Sequence, residues 1–501
     1  PRVRPSARHH PLRPLTEGFG RLRPIGPKVM VTGRRASARQ SCFDPEPKRH
    51  HNPHANHPID ATRECNSHPH MPGPRQSCFD PEPKRHPHAP TPKRYAAPMN
   101  HSSSAPHKLH AHLRSTLTLL LPLVLLTPTQ ATPLEVPEDI DAVITKAAQH
   151  LVTLQENMDS PNKPGVEWPY EGVYRTGGEI PPGYRVGGTS IAAWSLIETP
   201  GFDIDSDAGK AVKRGLDFIL DETKSNDRLG EGFRGGYDVR GWGQSYALQF
   251  LLRLRSKDMV PSAKKTRVKK TIRALIKLLE ESAIPQSGGW NYARRGGLGK
   301  PVGASPFMTG PTLLALFEAA EQGEKVDAKI VDNALNALEK GLGEDSIVTY
   351  NTGRSGRDTQ AGSVGRRPIS ELALIAAGRS DASKLEPALD AFFEHWGELE
   401  KRRRQNGTHV APHGIAPYYF FYAHYYAAQA IEGLPDAKRP AYRTRLLERL
   451  FQIREDSGGW NDRVFERSEN FGTSMSLLSM LAPQMQPLPT WSSGSDSKSA
   501  R

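Results

Sequence analysis

Acid–base side chains concentrate in a few glycine-containing segments of this 501-residue chain. His409, His413 and Tyr418 stand close together, and the carboxyl groups of Asp358 and Asp462 belong to two other segments of this kind. Histidine, tyrosine and carboxyl side chains are the usual general acids and bases of enzymes. We therefore predict that these five residues are candidate catalytic residues.

A metal site is a second use for the histidines, because His409 and His413 have a four-residue spacing that suits metal ligation on a helix. Gly407, Pro412 and Gly414 around them favour a loop, in which that spacing has no special meaning. We predict neither a metal site nor a cofactor.

Arginine and aromatic residues recur in the same segments. Guanidinium groups gathered near helix N-termini would attract an anionic ligand, such as a diphosphate, an acidic sugar or a lipid headgroup. The alternative is that they pair with local acids, including Asp238, Asp358 and Glu466, and brace the loops. The predicted ligand-binding residues are Arg240, Trp242, Trp290, Tyr292, Arg294, Arg295, Arg354, Arg357, Arg366, Arg367, Trp460 and Arg463.

Six amphipathic helices are predicted between these segments, each with apolar residues at three- and four-residue steps. They centre near Leu151, Leu216, Leu275, Leu335, Leu389 and Leu447. They alternate with six segments that are apolar on nearly all sides and therefore belong inside the protein. These are 189–198, 244–254, 311–320, 368–377, 417–431 and 473–481.

The alternation predicts an all-α fold, an (α/α)6 toroid of six helical hairpins with an inner and an outer ring. An open superhelix is the competing geometry. Both ends of the array are equally apolar, which favours the closed ring. Every loop from an outer to an inner helix would then emerge at one end of the barrel, and a scaffold commonly places its function on such loops.

Two of these loops are near copies, Ser287-Gly-Gly-Trp-Asn291 and Ser457-Gly-Gly-Trp-Asn461. With Gln286 and Asp456 before them, they resemble the repeat motif of the squalene–hopene cyclase and protein prenyltransferase superfamily, over about residues 137–482. The resemblance implies that Trp290 and Trp460 are structural staples, while ligand contact is the other interpretation. Looser echoes of the motif occur at 165–168 and 235–238.

The catalytic signatures of that superfamily do not carry over. An Asp-x-Asp-Asp acid does not occur at the start of an inner segment, and the nearest string, 203–207, is better explained as a helix cap. Prenyltransferases need a zinc-bound cysteine, and complement-type toroids need a thioester cysteine. Residues 132–501 contain no cysteine.

The N-terminal part differs in composition. Residues 1–131 hold 20 Lys and Arg but 7 Asp and Glu, so the net charge of +13 belongs to them, and residues 132–501 have 47 of each sign. We therefore expect no nucleic-acid binding by the folded part. Residues 1–98 are rich in Pro, His and Arg, and repeat the sequence of 39–50 at 75–86. An over-extended reading frame with its start at Met99 is favoured over a disordered or metal-binding leader.

From Met99 the chain has the three parts of a signal peptide, namely basic residues, an apolar run at 117–126 and a small-residue cleavage site near Ala131. A retained membrane anchor is the alternative. The predicted domains are thus a disordered segment at 1–98, a signal peptide at 99–131, the toroid at 132–485 and a flexible Ser-rich tail at 486–501. Localisation would be periplasmic or extracellular.

Three functions remain open at this point. The first is a toroid that binds a small amphipathic or anionic ligand, isoprenoid-like in character, with or without catalysis. The second is a secreted lyase or hydrolase acting on acidic polysaccharide, and the third is a divergent terpenoid cyclase. A deep apolar cavity along the barrel would favour terpenoids, whereas a polar groove across the mouth would favour glycans. The oligomeric state is not predicted.

Overall fold

The computed structural model describes residues 139–225, 229–230, 239–294, 297–343, 345–353 and 358–492, all within one compact unit, residues 121–501. The predicted leader and signal peptide lie outside these residues. Twelve main helices occur in the described ranges. In chain order they are α1 (Ile140–Thr153), α2 (Pro182–Glu198), α3 (Asp207–Ser225), α4 (Arg240–Ser256), α5 (Lys265–Ser282), α6 (Pro306–Glu321), α7 (Ala328–Gly341), α8 (Arg367–Ala376), α9 (Leu385–Glu394), α10 (Tyr419–Glu432), α11 (Arg439–Gln452) and α12 (Glu469–Leu481).

The even-numbered helices form a closed inner ring. Each packs against the next one in the chain, and α12 packs against α2, which closes the circle. The odd-numbered helices lie outside them, and each has one solvent-exposed face. The short helices Gln360–Ser363 and Trp396–Glu400 are the other α-helical segments described, and the β-structure of the described ranges consists of isolated bridges. The predicted (α/α)6 toroid is confirmed.

Several inner helices begin earlier than predicted. α2 starts at Pro182 instead of residue 189, and α6 at Pro306 instead of residue 311. Pro311 is therefore inside a helix, where it cannot donate a hydrogen bond to the carbonyl of Phe307. The hydroxyl of Tyr422 donates to that carbonyl instead, at 3.0 Å. A tertiary contact thus allows the helix to continue through a residue that normally ends one.

The axis of the barrel is filled with tyrosine side chains. Tyr246 on α4 and Tyr426 on α10 come from opposite sides of the ring, and their hydroxyl oxygens lie 3.3 Å apart. Both are buried, as is Tyr422. The interior below the mouth is therefore packed, and a polyprenyl chain would have no room along this part of the axis.

The two near-copy loops contain equivalent staples. The indole N–H groups of Trp290 and Trp460 donate to the carbonyls of Leu279 and Leu450, near the ends of the preceding outer helices, each at 2.8 Å. Each tryptophan backbone N–H donates to a threonine of the following inner helix, Thr309 or Thr473, at 3.0 Å. In these two hairpins, a single tryptophan therefore joins the outer helix to its inner partner.

Trp168 forms a third staple of the same kind. Its indole N–H donates to the carbonyl of Leu151 at 2.7 Å, and its backbone N–H donates to Thr189 at 2.9 Å. The weak sequence echo at 165–168 therefore marks a full structural equivalent. All three indoles are buried in the ring, which agrees with the interpretation of these tryptophans as structural.

The start of the expected flexible tail is held against the end of the barrel opposite the staples. Trp491 stacks on Phe317 with ring centroids 5.4 Å apart, and its backbone N–H donates to the carbonyl of Ala376 at 2.8 Å. Arg253 donates to the side chain of Gln486 at 3.0 Å. The packed chain thus extends beyond residue 485, because this apolar segment covers the otherwise open helix ends. Residues 493–501 lie outside the described ranges.

None of the helices described is long and apolar enough to cross a membrane.

Candidate functional site

A pocket of about 290 Å³ opens at the mouth of the barrel, where the inner helices begin. We call it the mouth pocket. Its wall is mostly aromatic and comes from the first turns of inner helices and from the loops that precede them. Its aromatic residues are Tyr170, Tyr174, Tyr184, Trp242, Tyr292, Phe307, Tyr418 and Phe471, with His409 beside them.

On one side of the mouth pocket, Tyr418 and His409 form a hydrogen-bonded pair. Nδ1 of His409 lies 2.7 Å from the carbonyl of Gly414, to which it donates, so Nε2 is left to accept from the Tyr418 hydroxyl at 2.9 Å. Burial lowers the pKa of His409 and raises that of Tyr418 well above 10. The ground state therefore pairs a neutral imidazole with a protonated phenol.

This pair continues into a row of tyrosine hydroxyls. The oxygen of Tyr418 lies 3.0 Å from that of Tyr292, which in turn contacts the hydroxyl of Tyr350. Since His409 accepts from Tyr418, the Tyr418 oxygen is free to accept from Tyr292. The hydrogen bonds from Tyr292 to Tyr418 and from Tyr418 to His409 therefore both point towards the imidazole.

On the other side, Tyr170 is paired with a buried carboxyl group. Its hydroxyl lies 3.0 Å from Oδ2 of Asp462, which is fully buried, and Oδ1 of Asp462 has no hydrogen-bond partner. Burial raises the pKa of Asp462 from 3.8 to about 7, although the neighbouring Arg463 opposes this rise. Asp462 does not line the mouth pocket, and Tyr170 lies between its carboxyl group and the pocket.

These two pairs face the same cavity from different parts of the ring. Tyr170 packs against Trp242 at the start of α4 and Phe471 at the start of α12, with ring centroids 5.7 and 4.6 Å apart. Tyr418 packs against Phe307 at the start of α6, with a centroid distance of 5.1 Å. A ligand in the mouth pocket would therefore lie between two groups able to transfer protons.

Arg463 supplies a positive charge to this wall. It lines the mouth pocket, is 1% exposed, and donates through Nη2 to the carbonyl of Gly407 at 3.0 Å. It makes no ion pair with a carboxylate of the described ranges, while the adjacent Asp462 holds a proton up to about pH 7. An anionic group in the pocket is a natural partner for this guanidinium.

Of the four other predicted arginines that the structure describes, Arg240, Arg294 and Arg366 brace the loops. Arg366 donates to Asp358 at 3.2 Å and to the carbonyl of Val348 at 2.8 Å, and Arg294 donates to the carbonyl of Ser282 at 2.6 Å. Burial lowers the pKa of Arg367, which lies near Glu371. Arg240 contacts the carbonyl of Gly230. Arg295, Arg354 and Arg357 lie outside the described residues.

The remaining predicted residues also divide into those that line the mouth pocket and those that contact only the loops. His413 contacts Thr359 at 3.0 Å, and Asp358 accepts from the backbone N–H of Tyr350 at 3.0 Å, so both act within loops and neither lines the mouth pocket. Trp290 and Trp460 are staples and also lie off its wall. The described chain contains no group of three or more metal-ligating side chains. The predicted residues that the structure brings together at the pocket are Trp242, Tyr292, His409, Tyr418 and Arg463, with Asp462 behind Tyr170.

Sequence reasoning left Phe307, Met308 and Phe471 out of the site. They line the mouth pocket from the first turns of α6 and α12, both of which begin several residues before the predicted segments. The usable signal was the proline at the start of α6, since proline favours the first turn of a helix.

The burial of Asp462 has a measurable consequence for stability. The pKa of Asp462 is higher in the folded protein than in the unfolded chain. The contribution of Asp462 to the free energy of unfolding is therefore fully present below about pH 4 and is lost as the pH rises towards 7. At 1.36 kcal/mol per pKa unit the loss reaches about 4 kcal/mol. We expect Asp462→Asn to remove this dependence, when unfolding free energies are measured in urea at pH 5 and pH 8. An unchanged pH dependence in the variant would contradict the assignment.

Known proteins were compared with this chain by sequence and by structure. No protein-family model and no curated protein matches its sequence. Solved structures similar to it include an alpha-1,6-mannanase from Salegentibacter, 13% identical over 69% of this chain and 98% of that chain, with a TM-score of 0.42. Another is an unsaturated glucuronyl hydrolase from Streptococcus agalactiae, 12% identical over 72% and 100%, with a TM-score of 0.46.

A glucoamylase from Hormoconis resinae is 10% identical over 70% of this chain and 75% of that chain, with a TM-score of 0.45. These likenesses concern the helical fold. The three proteins named are neither squalene cyclases nor prenyltransferases, so that resemblance stays a prediction.

Proposed function

We propose that this protein cleaves acidic glycans by β-elimination, with a uronic acid residue held in the mouth pocket. One observation carries the proposal: two tyrosines line one aromatic cavity from different sides, Tyr418 with His409 beside it in the wall and Tyr170 with Asp462 buried behind it. β-Elimination requires a base that takes the proton from the carbon next to the carboxylate and an acid that protonates the departing glycosidic oxygen. The two pairs supply one of each.

The character of the wall suits a sugar ring. The C–H faces of a pyranose are apolar and pack well on aromatic rings, while its hydroxyl groups need polar partners at the edges. Trp242, Phe307 and Phe471 offer such faces, and the tyrosine hydroxyls offer such partners. A uronate carboxylate would find its counter-ion in Arg463, which has none among the described carboxylates.

The proton transfers balance within these residues. A uronate carries a proton on the carbon next to its carboxylate, and Arg463 would stabilise the charge that develops when this proton leaves. The proton passes to the oxygen of Tyr418 as the Tyr418 proton moves to Nε2 of His409. Tyr170 protonates the departing glycosidic oxygen and is reprotonated by Asp462. A carbon–carbon double bond forms, and the carbon–oxygen bond breaks.

The order of the two pKa values supports these roles. Burial lowers the pKa of His409 below 6.5, so it is an available base near neutral pH. Burial raises the pKa of Asp462 to about 7, so it still holds a proton there. General acid–base catalysis near neutral pH requires a base whose pKa is lowered by its environment and an acid whose pKa is raised.

Hydrolysis fits this arrangement less well. Glycoside hydrolases generally place two carboxyl groups across the scissile bond. Within the part of the chain that the structure describes, no carboxyl side chain lines the mouth pocket, and Asp462 approaches it through a tyrosine. The packed barrel axis likewise supports a ring-sized ligand over an isoprenoid chain. Export through the signal peptide at residues 99–131 is a further part of the proposal.

The test is incubation of the full chain with a panel of polyuronates and uronic-acid-containing glycosaminoglycans. We expect the ultraviolet absorbance of an unsaturated uronate to rise together with new reducing ends. Arg463→Gln should lower kcat/KM about a hundredfold, since it removes a charge-stabilising group. Arg467→Gln is the matched control, because Arg467 lies on the same loop and is paired with Glu156 at 2.7 Å.

Three outcomes separate the alternatives. Reducing ends without absorbance would replace elimination by hydrolysis. Absence of cleavage on every polymer, together with absence of uronate binding, would overturn the proposed function. Equal activity of Arg463→Gln and Arg467→Gln would remove Arg463 from the site.

A further inference from the structure

Tyr170 belongs to the α2 side of the mouth pocket. It lies on the loop that leads into α2, and its ring packs on Trp242 of α4 and Phe471 of α12. These two helices are the neighbours of α2 in the inner ring. The Tyr170 ring therefore lies between the starts of α4 and α12.

Tyr418 belongs to the α8 side. It directly precedes α10, and its ring centroid lies 5.1 Å from that of Phe307 in the first turn of α6. The helices α6 and α10 are the two neighbours of α8 in the inner ring. In a ring of six helices α2 and α8 face each other, so Tyr170 and Tyr418 approach a ligand in the mouth pocket from opposite sides.

Each tyrosine also has its own partner for proton transfer. Nε2 of His409 lies 2.9 Å from the hydroxyl of Tyr418, and Oδ2 of Asp462 lies 3.0 Å from that of Tyr170. Asp462 is fully buried, and its Oδ1 has no hydrogen-bond partner among the described residues. Neither tyrosine therefore has to act as both base and acid.

The stereochemistry of a uronate decides which arrangement of base and acid its cleavage needs. β-Elimination removes the hydrogen on C5 of a 4-linked uronate and breaks the bond from C4 to the glycosidic oxygen. In glucuronate and mannuronate these two bonds lie on the same face of the ring, so one group can serve both. In galacturonate, guluronate and iduronate they lie on opposite faces, and the base and the acid must approach from opposite sides. The positions of the catalytic groups therefore predict the stereochemistry, as they do in glycoside hydrolases.

We infer that the mouth pocket catalyses anti elimination, and that its substrates are 4-linked galacturonate, guluronate or iduronate residues. This inference rests on the proposed function and names its substrate class. The oxygen of Tyr418 takes the C5 proton from one face while its own proton moves to His409. The C5–H electron pair forms the C4–C5 double bond. The C4–O bond breaks on the other face, where the leaving oxygen takes the proton of Tyr170.

The test compares pairs of polymers that differ in the relative configuration at C4 and C5 of the uronate. Polyguluronate is paired with polymannuronate, dermatan sulfate with chondroitin 4-sulfate, and polygalacturonate with β-1,4-glucuronan. The full chain is incubated with each, and the absorbance of the unsaturated product is followed. In whichever pair is cleaved, we expect kcat/KM to be about a hundredfold higher for the first member, since a misplaced reacting group costs about that factor.

Two variants test the arrangement of base and acid on opposite sides. Tyr170→Phe should lower kcat about a hundredfold or more, because the acid is lost. If Tyr418 supplied both proton transfers, Tyr170→Phe would keep its activity. Tyr442→Phe is the matched control, since the Tyr442 hydroxyl donates to Asp390 at 2.7 Å between the outer helices α11 and α9, away from the mouth pocket.

The outcomes separate this inference from the proposed function. Equal rates within each pair, faster cleavage of the mannuronate and glucuronate polymers, or full activity of Tyr170→Phe would overturn anti elimination and leave the proposed function in place. If none of the six polymers is cleaved, the proposed function fails and this inference fails with it.

Discussion

We expect the replacement of His409 with glutamine to lower the rate of the proposed glycan cleavage by two orders of magnitude or more. The imidazole accepts from Tyr418 and is the group that would take its proton, and loss of a general base commonly costs 10²–10⁴-fold. We expect the loss in kcat, measured under saturating polymer, with little change in the affinity for glucuronic acid. Tyr418→Phe should cause a similar loss.

The double variant gives the sharper result. Since the two residues would act as one unit, Tyr418→Phe combined with His409→Gln should lose no more activity than either single variant. His413→Gln is the matched control, because His413 lies four residues away on the same loop and contacts Thr359 instead of the mouth pocket. Full activity in His409→Gln would refute the proposed base.

Replacing Trp460 with alanine should destabilise the protein by about 3–5 kcal/mol, as expected for a large buried aromatic residue. Its indole is fully buried and donates to the carbonyl of Leu450. Trp460→Phe would keep part of the packing but lose the indole hydrogen bond, at a cost of about 0.5–1.5 kcal/mol, because the Leu450 carbonyl would still accept from the backbone N–H of Ile453 at 3.3 Å. The free energy of unfolding in urea measures both effects.

Trp491→Ala is the comparison for this prediction, since Trp491 is only partly buried and lies on the C-terminal segment. Equivalent changes at Trp168 and Trp290 should match those at Trp460, because each indole donates to a leucine carbonyl of the preceding outer helix and each backbone N–H donates to a threonine of the following inner helix. A loss at Trp460 no larger than at Trp491 would mean that the staple is not a principal element of the ring.

Helical periodicity was sufficient to predict the architecture. Amphipathic and uniformly apolar segments alternate in the sequence, and burial requires the second kind to lie inside the first. Helix starts were harder to locate, as α6 shows, because Pro311 normally ends a helix and is tolerated here through a contact with Tyr422. Such a long-range contact leaves no mark in the local sequence.

The site was predicted less completely for a similar reason. His409, Tyr418 and Asp462 were found by residue type, but the sequence does not say which arginines face a cavity and which brace a loop. Arg366 and Arg463 look alike in sequence, yet Arg366 pairs with Asp358 while Arg463 lines the mouth pocket. Whether an arginine faces the cavity depends on whether a carboxylate of another loop lies within reach of it, and only the three-dimensional structure shows that.

The position of the Tyr170–Asp462 pair has a consequence for when the mouth pocket forms during folding. These residues are 292 positions apart and belong to the first and last hairpins, which meet only when α12 packs against α2. Contacts of such long sequence separation form late, because the entropy of closing the chain must first be overcome. The mouth pocket is therefore completed where the first and last hairpins meet, and in a nascent chain it would form only after the final hairpin has docked.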